Sequence, residues 1–84
     1  MALARRQPMT SAFGERLRAA RKARGLSQDQ LAEETTLHHT HISLLERGQR
    51  EPCLETLVLL GRGLDVSPST MILWHEPRGR DASR

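Results

Sequence analysis

The chain has 84 residues, of which 37% are hydrophobic, and a formal net charge of +3. A chain of this length forms one domain and buries only about 60% of its unfolded surface, which makes self-association attractive. Its single cysteine excludes an internal disulfide, and its aromatic content of 2% disfavours single-stranded nucleic-acid modules, which stack bases on aromatic rings. No apolar run approaches the roughly 18 residues of a membrane span, so we expect a cytoplasmic protein without membrane contact.

Charge is distributed unevenly along the chain. Residues 1–26 carry seven basic groups and one acidic group, whereas residues 27–46 carry four acidic groups and no basic group. Residues 47–84 carry six basic and five acidic groups. A basic flank beside an acidic centre favours a domain whose basic outer residues bind phosphate groups. A solvated basic surface on an ordinary small protein explains the charge alone equally well.

The first ten residues are predicted to form a flexible basic arm. Residues 1–10 contain Arg5 and Arg6 and are interrupted by Pro8. Such an arm either reaches DNA through its arginines or is a chain terminus that contacts nothing.

A first helix is predicted to run from a cap at Thr10 or Ser11 to about Arg24, with Gly25 ending it. Apolar residues recur there at helical spacing, and charged residues occupy the other face. The first helix is therefore expected to pack one face against the core.

Two short helices joined by a tight turn are predicted between residues 27 and 47. Ser27 and Gln30 form a capping box at the start of the second helix, and His38 is a weaker cap for the third, which Gly48 ends. The outer face of the third helix carries His39, Thr40, Ser43, Leu44 and Arg47. A short helix displayed in this way on a basic chain has the geometry of insertion into the major groove.

Two further helices are predicted after residue 52. Cys53 is a weak cap for the fourth helix, and the two glycines near its end, Gly61 and Gly63, indicate close helix packing. Ser67 and Pro68 start the fifth helix. That helix places Met71 inward and leaves Ile72, Leu73 and Trp74 as a predicted dimer interface, because four successive apolar residues cannot all face one core. Residues 76–84 are polar and are predicted to form a disordered tail.

Four sequence pieces, in this order and spacing, carry a resemblance to a known family. They are G-L-S-Q-x-x-L-A from Gly25, I-S-L-L-E-R-G from Ile42, P-x-L-E-T-L from Pro52 and L-x-V-S-P from Leu64. Together they resemble the Cro and phage-repressor type of helix-turn-helix domain, the Xre family, over roughly residues 12–74. The resemblance implies an all-α fold, a compact five-helix lambda-repressor-like domain over residues 11–75 with its helix-turn-helix at helices two and three.

The resemblance also implies roles for single residues. Gln28 matches a position that anchors a DNA phosphate, and Arg21 is expected to pair with Glu46 in a structural salt bridge. The predicted DNA-binding residues are Ser27, Gln28, His38, His39, Thr40, Ser43, Leu44, Arg47 and Arg50. Two positions depart from the family pattern. Thr36 replaces a turn glycine, so that turn is expected to be less left-handed, and Leu44 replaces a polar or basic residue that reads bases.

No catalytic or metal site is expected. His38, His39 and His41 are close in sequence, but no cysteine pair or fourth ligand accompanies them. No phosphate-binding loop, catalytic triad or supported carboxylate pair is present in the sequence. We therefore expect a protein that is not an enzyme and that has no cofactor and no small-molecule ligand.

Two functions remain open from the sequence. The favoured one is a sequence-specific regulator that binds double-stranded DNA as a homodimer on a palindromic operator, with the third helix, about residues 39–47, in the major groove. Its length is similar to that of restriction–modification controller proteins and other small regulators. The alternative is a protein–protein interaction module of the same fold, such as an antitoxin-like partner binder, without base readout. Leu44 and the acidic second helix favour this alternative, whereas the Gln28 match and the basic flank oppose it.

Overall fold

The computed structural model describes residues 9–76, which form five α-helices. The helices are α1 (Met9–Ala23), α2 (Gln28–Thr35), α3 (His39–Glu46), α4 (Leu54–Leu64) and α5 (Pro68–Leu73). This is the predicted all-α architecture, with α2 and α3 as the helix-turn-helix pair. Residues 1–8 of the predicted arm and residues 77–84 of the predicted tail lie outside the described residues. Between residues 9 and 76, no helix is long and apolar enough to span a membrane.

Helix α1 begins earlier than predicted. It includes Met9 and Thr10, so neither Thr10 nor Ser11 is its N-cap. Ser11 instead packs against Gly48, where a Cβ atom added to the glycine would lie 2.8 Å from the Ser11 hydroxyl oxygen. At the other end of α1, Gly25 has the left-handed φ of +73° expected of a residue that ends a helix.

Helices α2 and α3 begin with the predicted caps. The Ser27 hydroxyl accepts a hydrogen bond from the Gln30 N–H at 3.0 Å, and the Gln30 side chain accepts one from the Ser27 N–H at 2.8 Å. His38 caps α3, because its Nδ1 accepts from the Thr40 N–H at 3.1 Å. These bonds satisfy N–H groups that the first turn of a helix otherwise leaves free.

Helices α4 and α5 also begin as predicted. Cys53 precedes α4 without a side-chain cap bond. Ser67 caps α5 by accepting from the Thr70 N–H at 3.2 Å, and Pro68 occupies the first turn, where a missing N–H is harmless. Met71 is fully buried and thereby fixes α5 on the core.

The turn between α2 and α3 differs from the prediction. Thr36 has φ 62° and ψ 13°, so the expectation of a less left-handed turn is wrong. This region is unfavourable for a β-branched residue. The neighbours of Thr36 explain it: Thr35 is buried on one side and Leu37 packs against the core on the other, so the chain must reverse within one residue.

The core forms where all five helices meet. Its largest fully buried apolar side chains are Phe13, Leu17, Leu31, Ile42, Leu45, Leu60 and Met71. Helix α1 packs against α3, α2 packs against both α3 and α4, and α4 packs against α5. Helix α3 is therefore held on its inner side by α1 and α2.

The two glycines of α4 permit close packing, as predicted. A Cβ atom on Gly63 would lie 2.6 Å from Cγ2 of Thr35 in α2. A Cβ atom on Gly61 would clash with the Val66 carbonyl oxygen. Any larger residue at either position would push α4 away from its neighbours, which supports the prediction that these glycines are packing residues.

Candidate nucleic-acid interface

The outer face of α3 is accessible because its neighbours cover only the inner face. Ile42 and Leu45 are fully buried on the inner side. The exposed or half-buried residues of the outer face are His39, Thr40, Ser43, Leu44 and Arg47. The Arg47 side chain folds back towards α3, since its Nε–H lies 3.4 Å from the Ser43 carbonyl oxygen. The structure thus brings together the five residues that were predicted for this face.

A buried ion pair lies behind the interface. The Arg21 Nε–H donates to Glu46 Oε2 at 2.6 Å, and its Nη2–H donates to Glu46 Oε1 at 3.1 Å. A third donor, Nη1–H, reaches the Leu26 carbonyl oxygen at 2.8 Å. Only 9% of the Arg21 side chain and 3% of the Glu46 side chain are exposed. The hydrogen bond with Glu46 raises the pKa of Arg21 against the opposing effect of burial, so the guanidinium stays charged.

Gln28 is bonded to this ion pair. Its Nε2–H donates to Glu46 Oε1 at 3.1 Å, and its side chain is half-buried at the start of α2. The sequence resemblance identified Gln28 as a phosphate anchor, but it carried no signal of the bond to Glu46. The two residues lie 18 positions apart and meet only because α2 and α3 pack together.

The N-terminus of α3 carries two stacked imidazole rings. The ring centroids of His38 and His39 are 4.8 Å apart, with an angle of 27° between the planes. His39 Nδ1 also lies 3.9 Å from Asp29 Oδ1 of α2. Across residues 9–76, no group of three or more His, Cys, Asp or Glu side chains is arranged to hold a metal ion.

Arg50 lies in the loop that follows α3 and is exposed. Burial lowers the pKa of His41, and the positive charge of Arg50 lowers it further. Arg47 supplies positive charge at the C-terminal end of α3 and Arg50 in the loop that follows, and Ser27 and Gln28 lie at the start of α2.

The apolar residues of α5 divide into two groups. Ile72 and Leu73 are 54% and 59% exposed. Trp74 is half-buried and packs against the core, with its ring centroid 6.0 Å from that of Phe13. Of the three residues predicted for a dimer interface, Ile72 and Leu73 thus form the exposed pair and Trp74 is partly committed to the core.

Comparison with known proteins identifies the family of the chain. The helix-turn-helix family profile matches residues 17–71. The chain is also 36% identical over 61 residues to control protein C.BamHI of Bacillus amyloliquefaciens, a match that covers 71% of this chain and 75% of that protein. The chain belongs to the helix-turn-helix family. It is a DNA-binding transcriptional regulator of the Cro and phage-repressor type, as the sequence resemblance implied.

Two other relatives of this helix-turn-helix regulator are control proteins. Control protein C.SmaI of Serratia marcescens is 43% identical over 55 residues, which cover 66% of this chain and 66% of that protein. The crystal structure of the restriction-modification controller protein C.AhdI from Aeromonas hydrophila aligns with a TM-score of 0.71 and 39% identity, covering 74% of this chain and 94% of that one. The chain spans about two thirds of the length of the Serratia relative.

Sequence reasoning missed one residue that positions α3 in this helix-turn-helix domain. Gly14 is buried in α1, and a Cβ atom there would clash with the Leu45 carbonyl oxygen and lie 2.6 Å from that of Glu46. Only a glycine lets α1 approach the backbone of α3 so closely. A glycine within an amphipathic helix was the available signal, since glycine weakens a helix interior unless packing requires it.

Proposed function

We propose that this helix-turn-helix regulator binds a palindromic double-stranded operator as a homodimer, with α3 in the major groove. The observation that carries the proposal is the solvent-accessible outer face of α3, which is backed by the buried Arg21–Glu46 ion pair and accompanied by groups suited to DNA phosphates. The Arg47 and Arg50 guanidinium groups are suited to DNA phosphates. The Gln28 amide and the N–H groups at the start of α2 are also suited to phosphates.

The face of α3 is chemically equipped for base readout. Thr40 and Ser43 offer hydroxyl groups that donate to or accept from base edges, and His39 offers a ring nitrogen. Leu44 has no polar group, but its methyl groups fit against the C5-methyl group of thymine. We therefore expect a half-site that contains at least one thymine read by apolar contact.

A selection experiment tests the DNA assignment. The parent protein selects duplexes from a random library, and mobility shifts then measure its affinity for the selected and scrambled sequences. Gln28→Ala should weaken binding to both, whereas His39→Ala and Thr40→Ala should alter sequence preference. Replacing the contacted thymine by uracil should weaken binding of the parent but not of Leu44→Ala. Unchanged specific binding after alanine replacement at all of positions 39, 40 and 44 would refute this interface.

The same experiment separates the proposed function from the alternative. A protein-interaction module of the same fold would bind selected and scrambled duplexes equally weakly, and it would yield no enriched sequence. An enriched palindrome with two half-sites about one helical turn apart, near 34 Å, is the expected result for a dimer with two α3 helices.

The proposed dimer forms through Ile72 and Leu73. A small domain with two large exposed apolar side chains on one short helix gains stability by covering them with a second copy. Sedimentation at micromolar concentration should give a dimer for the parent and a 9.5 kDa species for Ile72→Arg and Leu73→Arg. Leu54→Arg is the matched control, because Leu54 is 68% exposed on α4. A parent that sediments at 9.5 kDa, or a dimer that only Leu54→Arg disrupts, excludes this interface.

The relatives favour a role in restriction–modification control. C.SmaI and C.BamHI are control proteins, and C.AhdI is a restriction-modification controller protein. We propose the same role here, with the operator close to the regulated genes. Mobility shifts with genomic fragments, including the protein's own upstream region, test it. Selective binding to fragments remote from any restriction or methylation gene would assign a different regulatory role.

A further inference from the structure

We propose that Glu46 is a positioning residue for DNA binding. It fixes the carboxamide of Gln28 at the start of α2 and thereby ties the phosphate contact to the last residue of α3. This inference rests on the proposed function, because Gln28 has a phosphate to meet only if the protein binds DNA. It goes further by assigning to the buried ion pair a role in binding in addition to its role in stability.

The first step is the rigidity of the Glu46 carboxylate. Arg21 donates to both of its oxygens, at 2.6 Å and 3.1 Å. Arg21 is itself held by the Leu26 carbonyl oxygen at 2.8 Å. Two parallel N–H···O bonds from a planar guanidinium fix the orientation of a carboxylate as well as its position. Glu46 therefore presents Oε1 to its surroundings in one place.

The second step is the bond from that oxygen to Gln28. Glu46 Oε1 accepts from Gln28 Nε2 at 3.1 Å. A primary amide nitrogen carries two hydrogens, so one remains for a phosphate oxygen while the other is held by Glu46. A glutamine side chain that is ordered before binding loses less conformational entropy when DNA arrives. The position of Glu46 at the end of α3 sets the distance between this donor and the groove-facing residues.

The test removes the ion pair without changing the net charge. In Arg21→Met/Glu46→Met, one positive and one negative group disappear together, so the salt-dependent attraction to DNA is unchanged. Replacing a buried ion pair by apolar residues of similar volume is often neutral or stabilising, so we expect the variant to fold. Affinity for the duplex selected by the parent should fall by about threefold to tenfold, as expected when one side chain must be ordered on binding.

A double-mutant cycle isolates the positioning effect. Gln28→Ala should weaken binding by about tenfold in the parent, and by a clearly smaller factor in the Arg21→Met/Glu46→Met background. Arg21→Met/Glu46→Gln is the rescue variant, because the amide introduced by Glu46→Gln keeps an acceptor oxygen for Gln28 and the net charge is again unchanged. It should recover part of the affinity lost in Arg21→Met/Glu46→Met, because the acceptor oxygen returns without the Arg21 guanidinium that orients it in the parent. Equal penalties for Gln28→Ala in both backgrounds would overturn the inference.

A measurement on the unaltered protein covers the case in which the double variant fails to fold. In a proton–nitrogen correlation spectrum, one side-chain amide proton of Gln28 should show slow exchange with water, and the other should shift when the selected duplex is added. Two amide protons that both exchange freely and do not shift would overturn the positioning role. A parent that selects no duplex at all would instead refute the proposed function, so the two failures are distinguishable.

Discussion

The ion pair behind α3 allows a quantitative prediction for Glu46→Gln. The substitution keeps the size of the side chain but leaves the Arg21 charge, on a side chain that is 9% exposed, without its carboxylate. Removing one partner of a buried pair typically destabilises a protein by about 3–5 kcal/mol. At roughly 0.05–0.15 kcal/mol per residue, the whole domain has an unfolding free energy of only about 4–13 kcal/mol. Glu46→Gln should therefore remove a large part of the total stability.

Urea denaturation followed by circular dichroism measures this effect. Glu46→Gln should shift the denaturation midpoint strongly downwards. Glu33→Gln on the exposed surface of α2 is the matched control, since it makes the same chemical change at an exposed position and should alter stability by less than about 0.5 kcal/mol. Equal midpoints for the two variants would show that the Arg21–Glu46 pair contributes little, and the reasoning from burial would then be wrong.

Single residues allow three further predictions. Gly14→Ala should destabilise the fold by about 1–3 kcal/mol in the same urea assay, despite the better helix propensity of alanine, because its Cβ clashes with the Leu45 carbonyl oxygen; an unchanged midpoint would mean that α1 and α3 separate easily. Thr36→Gly should stabilise the protein by about 0.5–1 kcal/mol, since glycine relieves the left-handed φ of 62°, and a lower midpoint would contradict this. The pKa of His41 is lowered in the folded protein by burial and by Arg50. As the pH falls, His41 therefore takes up a proton more readily in the unfolded chain than in the folded one. The unfolding free energy should thus fall as the pH drops below about 6.5. His41→Asn should flatten that dependence between about pH 7.5 and 5.5, and an equally steep dependence would assign it to other groups.

Residues close together in the sequence determined where α2, α3 and α5 begin. The bonds between Ser27 and Gln30, between His38 and Thr40, and from Ser67 to the first turn of α5 all join residues no more than three apart. Local chemistry therefore specifies them wherever the chain is placed. The apolar periodicity similarly determined which face of α3 turns inward, because burial of Ile42 and Leu45 follows from helical spacing.

Contacts between distant parts of the chain decided two features that the sequence did not reveal. They are the left-handed conformation of the turn between α2 and α3, which was predicted wrongly, and the division of the apolar residues in α5. Thr36 is left-handed because its neighbours on both sides are fixed by packing, which overrides the preference of a β-branched residue. Ile72, Leu73 and Trp74 are all large and apolar, so hydropathy alone does not distinguish them. The packing of Trp74 near Phe13 separates it from the exposed pair.

The bond between Gln28 and Glu46 is a property of the tertiary structure alone. The two side chains meet only after α2 and α3 have packed together, so no local sequence pattern links Gln28 to α3. A local sequence pattern records the conformation of a segment, whereas the closeness of two segments depends on how their apolar faces are buried together.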